Sequence, residues 1–169
     1  MRPEHAGVAW VAPENLHLTL KFLGRVEAAE LDRLEAALTG VVADHPAFPL
    51  SCVGLGAFPT PLRPRVIWAG VREGAAPATS LAAAVERALA PLGFDPEARP
   101  FSAHITLGRL RTPQKVPALA RALEEGGALT FGRMQVASIV LVRSDLSPRG
   151  ARYTDLVTFP LAVPSGTTR

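Results

Sequence analysis

Cysteine is almost missing from this chain: Cys52 is the only one in 169 residues. One thiol excludes an intramolecular disulfide and any multi-cysteine metal site. Its apolar neighbours predict a small buried residue. Strong charge is also missing. Lys and Arg total 18 against 15 Asp and Glu, a formal charge of +3. No polybasic run exists; Arg63 with Arg65 and Arg109 with Arg111 come nearest. That balance permits a phosphate-bearing partner without calling for a long nucleic-acid footprint, and arginines kept for solubility would look the same. No apolar run reaches the roughly 18 residues of a membrane span, and no basic-then-apolar leader is visible. The expected setting is therefore a reducing cytoplasm. A Gly-rich phosphate loop after a strand is absent, as is the G-x-S-x-G turn of a serine hydrolase.

What is present is apolar material, 48% of the residues, enough for the core of one domain or of two lobes sharing one domain. Residues 8–23 read as a turn at Pro13–Asn15 leading into a strand. There Leu16, Leu18, Leu20 and Phe22 alternate with His17, Thr19, Lys21 and Leu23. Leu31, Leu34, Leu38 and Val41 or Val42 predict a helix over 27–43, stopped by His45 and Pro46. A strand over 49–58, interrupted by Gly54 and Gly56, leads through a proline-rich loop to RVIWAGV. A second helix is predicted over 78–92, with Thr79 or Ser80 as its cap and Gly93 at its end. Further strands are expected at 101–109, 134–143 and 153–161, with a short helix at 117–125. The tail 164–169 is small and polar, and mobility is expected there. Strands arriving in adjacent pairs predict an α+β fold with antiparallel sheets.

One pattern repeats. LHLTL at 16–20 echoes AHITL at 103–107, and each is followed within a few residues by glycine and arginine. The echo suggests a diverged duplication of two half-domains. It also holds two of the four histidines, His17 and His104. On a strand, residues i and i+2 share a face, so each histidine shares its face with a threonine, Thr19 or Thr106. Two such strands side by side would offer two imidazoles and two hydroxyls to one cleft. An imidazole titrates near pH ~6.5, so one can accept a proton while the other donates one. Threonine hydroxyls can donate to phosphoryl oxygens. A buried core histidine on each strand is the bland alternative. A metal site is the other, although no acidic residue falls at ligand spacing near either motif. His5 and His45 carry no pattern and are expected on the surface.

The segment WVAPENLHLTLKFLGRV, the pair HLTL and HITL, the run GAFPTPLRPRVIWAG and the late RSDLSPRGARYTDL together resemble the 2H phosphoesterases. The nearest branch is the bacterial and archaeal RNA 2′,3′-cyclic phosphodiesterases, also called 2′-5′ RNA ligases. The resemblance runs from about residue 8 to about 161. It implies a single bilobal domain over 1–169, two antiparallel sheets with outer helices around a central cleft. It also implies hydrolysis of an RNA-terminal 2′,3′-cyclic phosphate to a 2′-phosphomonoester, without metal or other cofactor. Carried over, His17 is the proton donor and His104 the acceptor, although a symmetric cleft allows these roles to exchange. Reversible 2′-5′ ligation would run the same groups backwards. RNA ends or small cyclic-phosphate nucleotides are the implied partners. Arg109 and Arg65 are candidates to hold phosphate or the terminal nucleotide, or are simply arginines at strand ends. Arg109 has the strand parity of Ile105 and Leu107, so it must leave the core face near Gly108. Phe58, Trp68 and Tyr153 are equal candidates to stack on a base.

The chain departs from the family at its start. Members ordinarily have a strand and a helix before the W-V segment, where this chain has only Met1–Gly7. A bare strand edge and an uncovered apolar face are the expected consequence, with lowered stability or dimerisation. Two other readings remain: a non-catalytic module binding RNA ends or nucleotides, and a phosphodiesterase for another cyclic or 2′-5′-linked nucleotide.

Overall fold

The computed structural model describes residues 7–112, 115–147 and 150–163. His5 and the tail 164–169 lie outside them. The helices are α1 (Leu31–Ala43), α2 (Ala75–Leu89) and α3 (Pro117–Glu125), apart from short 3-10 turns. The chain forms two compact units, each assembled from three separated stretches. The fold is α+β with antiparallel sheets, as the pairing of strand-forming segments predicts.

The first unit draws on residues 1–19, 50–73 and 103–133. Its sheet has five strands: β1 (Val8–Trp10), β2 (Phe48–Phe58), β3 (Val66–Val71), β4 (His104–Leu110) and β5 (Thr130–Val136), in the order β1-β4-β3-β2-β5. β4 runs antiparallel to both β1 and β3, and β3 antiparallel to β2. Strand alternation separates the two sheet faces. Ala57, Ile67 and Leu110 lie on one of them, buried with Leu119 and Leu123 of α3. Leu55, Leu107, Val8 and Val116 extend this core. The opposite face carries Gly56, Trp68, His104 and Thr106, by the same register.

The second unit draws on residues 20–49, 74–102 and 134–169. Here α1 packs against α2 and against β7 (Gly150–Pro160), which pairs with β6 (Ser138–Ser147). Leu34, Leu38, Val41 and Val42 are the buried stripe of α1, the residues whose helical spacing is visible in the sequence. Lys21 lies in this unit with its side chain 2% exposed. Its Nζ donates to Glu86 Oε2 and to the Asp95 carbonyl, both at 2.7 Å.

Four local expectations are corrected. Residues 16–23 do not form a strand: after the 3-10 turn Pro13–Asn15 the chain makes only a single antiparallel bridge, at Leu18. Leu16 and Phe22, expected inside, are 43% and 70% exposed. Helix α2 starts earlier than predicted, capped by Gly74 at φ 81°, a left-handed position suited to glycine. Thr79 instead donates within the helix to the Ala75 carbonyl at 2.8 Å. The predicted strand 134–143 divides at Ala137 into β5 and β6. His45 is half-buried rather than on the surface, its Nδ1 2.8 Å from the Val41 carbonyl at the end of α1.

Candidate active site

Antiparallel register assembles the site inside the first unit. Leu18 bridges Ile105 of β4, and Ile105 is in turn paired with Ala69 of β3. Ala69 is 3% exposed, so this row belongs to the core side of the sheet. Residues on either side of the row therefore point the other way. The register of the bridge puts His17 opposite Thr106 and Thr19 opposite His104. Strand-like alternation around Leu18 would set all four on the face that carries Trp68, with the two histidines on one diagonal. Diagonal neighbours across two antiparallel strands lie about 7 Å apart, a span that admits one phosphoryl group between two imidazoles.

The His17 ring is held locally. Its Nδ1 lies 2.7 Å from the carbonyl of Asn15, in the turn that Pro13 starts. A carbonyl only accepts, so Nδ1 carries a hydrogen. His104 is half-buried against aromatic rings. Phe58 stands edge-to-face with it, centroids 5.2 Å apart at 85°, and Trp68 lies 6.3 Å away at 59°.

Arg109 reaches the same side of the sheet through an irregularity. Ile67 pairs with Gly108, but the next residue of β3, Trp68, pairs with Thr106. β4 thus carries one extra residue, Leu107, and a bulge reverses the alternation beyond it. Arg109 then pairs with Val66, which shares the parity of Trp68. The exit from the core face that the strand pattern demanded is this bulge, and Arg109 is exposed on the His104 side. Arg65 is exposed one residue before β3 and has the parity of buried Ile67. Its backbone is fixed by bonds to Phe58 and Leu110, at 2.7 and 2.9 Å. The structure does not bring its side chain into the His–Thr row. Tyr153 belongs to the second unit, opposite Ser144 on β6. Among the described residues no three His, Cys, Asp or Glu side chains come together in a way that could hold a metal ion.

A family model described as LigT-like phosphoesterase matches residues 1–68 and 70–153, taking in both His-x-Thr motifs. The chain belongs to this family. A LigT-like relative from Archaeoglobus fulgidus, named RNA 2′,3′-cyclic phosphodiesterase, is 42% identical over 154 residues, which cover 91% of this chain and 84% of the relative. One of the same name from Aeropyrum pernix is 38% identical, with 90% and 86% covered. Among solved structures, a Thermus thermophilus protein superposes with a TM-score of 0.80 at 30% identity, covering 97% of this chain and 87% of its own. Escherichia coli LigT in complex with 3′-AMP gives 0.73 at 31% identity, with 94% and 83% covered. The LigT-like membership makes the chain an enzyme, a cyclic phosphodiesterase, as the resemblance implied. Among the described residues no helix is long and apolar enough to cross a membrane.

Several features of the LigT-like site are not visible in the sequence. The Leu107 bulge leaves no mark in the alternation of apolar residues. The aromatic packing around His104 has a trace, because Gly56 and Gly70 interrupt two strands at positions that flank Trp68. Lys21, which alternation puts on the face of His17 and Thr19, instead forms a buried ion pair.

Proposed function

We propose that this chain hydrolyses the 2′,3′-cyclic phosphate at an RNA end to a 2′-phosphomonoester, with His17 and His104 as an acid–base pair and no metal. The observation that carries this reading is the Leu18–Ile105 bridge, whose register gathers two imidazoles and two threonines into one row. The names of the relatives supply the substrate class, and the 3′-AMP complex of LigT fits a nucleoside phosphate at such a site.

His104 takes a proton from water as its oxygen attacks phosphorus. The P–O3′ bond breaks, and the departing O3′ takes a proton from Nε2 of His17. Thr19 and Thr106 donate to the non-bridging oxygens, where negative charge grows in the transition state. Arg109, on the same sheet face, neutralises the phosphoryl group, while Arg65, exposed just before β3, remains a candidate for the adjoining nucleotide only if its long side chain reaches past the sheet edge. One turnover leaves His17 deprotonated and His104 protonated, and exchange with solvent restores both. With an RNA 5′-hydroxyl attacking in place of water, the same groups would make a 2′-5′ linkage, and the reverse of that step would cut it. Residues 1–169 act as one bilobal domain on RNA ends or small cyclic nucleotides, and the lone Cys52 suits a reducing cytoplasm.

The test is turnover of an oligoribonucleotide ending in a 2′,3′-cyclic phosphate, with EDTA present. Full activity and a product bearing phosphate at 2′ are expected. Phosphate at 3′, or activity lost to chelation, overturns the mechanism.

A further inference from the structure

Opposite His104 on β3 stands Gly70, which has no side chain to brace an imidazole. The bracing comes diagonally. Trp68, opposite Thr106, and Phe58, on β2, form a closed triangle of rings with His104. The Phe58 and Trp68 centroids are 5.3 Å apart at 39°, and each ring also meets His104. The indole is seated by glycine. Gly56 pairs with Trp68, and a Cβ there would collide with the six-membered part of the indole. A Cβ on Gly70 would meet the Val53 carbonyl oxygen at 2.9 Å and Trp68 Cζ3 at 3.3 Å. Two adjoining strands thus give up side chains where the ring lies.

The seat has a cost that its shape must offset. Among the described residues, Trp68 Nε1 is buried with no hydrogen-bond partner. An unmet N–H in a protein interior is destabilising, and a phenylalanine would fill the position without it. What indole adds is reach, from the Gly56 strand across to the imidazole. Its N–H is also shut away from any ligand. The ring is therefore shaped to pack, not to bind.

We propose that Trp68 and Phe58 are positioning residues for His104, fixing its ring angle so that the imidazole meets the attacking water in line with phosphorus. This rests on His104 being the proton acceptor, as proposed above. Such alignment is demanding, because a misplacement of about 1 Å costs roughly 100-fold in rate.

The experiment compares Trp68→Ala, Phe58→Ala, Trp68→Phe and Gly56→Ala with His104→Ala, using hydrolysis of an RNA 2′,3′-cyclic phosphate. Trp68→Ala and Phe58→Ala are expected to lower kcat roughly 10- to 100-fold with KM little changed. Their His104 ring signals in long-range 1H–15N spectra should shift or broaden while those of His17 stay. Trp68→Phe keeps a ring and removes the N–H but loses the reach of the indole, so kcat should recover only in part. Gly56→Ala keeps all three aromatic side chains but displaces the indole, and kcat should fall again. Should Trp68→Ala not fold, Phe58→Ala and Gly56→Ala decide. Unchanged kcat and unchanged His104 signals in the folded variants would refute the positioning role. So would a raised KM at normal kcat, which would make these rings part of substrate binding. If His104→Ala itself turns over normally, the functional reading fails; if it is inert while the ring variants are normal, only this inference fails.

Discussion

Removing the carboxylate of Glu86 should harm this protein more than removing the ammonium of Lys21. The Lys21 side chain is 2% exposed and its Nζ has two acceptors, Glu86 Oε2 and the Asp95 carbonyl. Glu86 is 22% exposed and keeps some access to water. Glu86→Gln leaves a buried cation facing only neutral oxygens. Breaking a buried pair in that way costs about 3–5 kcal/mol, and the partial exposure of Glu86 argues for the lower end, about 3 kcal/mol. Lys21→Met keeps the aliphatic volume and removes the charge. It leaves Glu86 to water and the Asp95 carbonyl without its donor, for roughly 1–2 kcal/mol. The double variant, with no charge left to bury, should recover most of the Glu86→Gln loss. Urea unfolding of the four proteins measures the cycle, provided the slopes agree. A double variant at least as unstable as Glu86→Gln, or Lys21→Met as the worse single change, would refute this reasoning.

Other changes follow from the same structure. Ile67→Ala, at a position 2% exposed in the core with Leu119 and Leu123, should cost about 2–5 kcal/mol in urea unfolding, since the sheet cannot close over the lost volume. Arg109→Ala should raise KM roughly 10- to 100-fold with kcat less affected, as expected for loss of one charge-assisted hydrogen bond of about 1.5–3 kcal/mol. Thr106→Val should lower kcat while Thr106→Ser retains most of it, because the hydroxyl rather than the methyl acts on the developing charge. Burial pushes the Cys52 thiol up from its ordinary value, so iodoacetamide should modify the native protein at neutral pH more slowly than the urea-unfolded chain.

Helix stripes and the antiparallel pairing of β2 with β3 were readable because burial there follows simple periods. Leu34, Leu38 and Val41 recur at helical spacing, and Ile67 and Ala69 at strand spacing. The same periods misled at residues 16–23. Leucine alternation there mimics a strand, but the Pro13 turn delivers the chain to β4 only at Leu18, leaving Leu16 and Phe22 in solvent. The His–Thr row was legible for a different reason: it needs only parity on each segment and one contact between them. Arg109 was placed by a bulge, which depends on how two strands count against each other and not on either alone. Gly56 read only as an interruption of its strand, yet it is the room in which an indole lies. Lys21 had the parity of a site residue, and only tertiary structure shows that its charge is used by Glu86.

The central claim is that His17 and His104 act as one unit on the cyclic phosphate. Its most direct test is kcat for His17→Ala, His104→Ala and the double variant on the same RNA 2′,3′-cyclic phosphate. Each single change should lower kcat by roughly 10²–10⁴, and the double change should add little further. Near-normal turnover in either single variant, or losses that simply multiply in the double, would contradict the account.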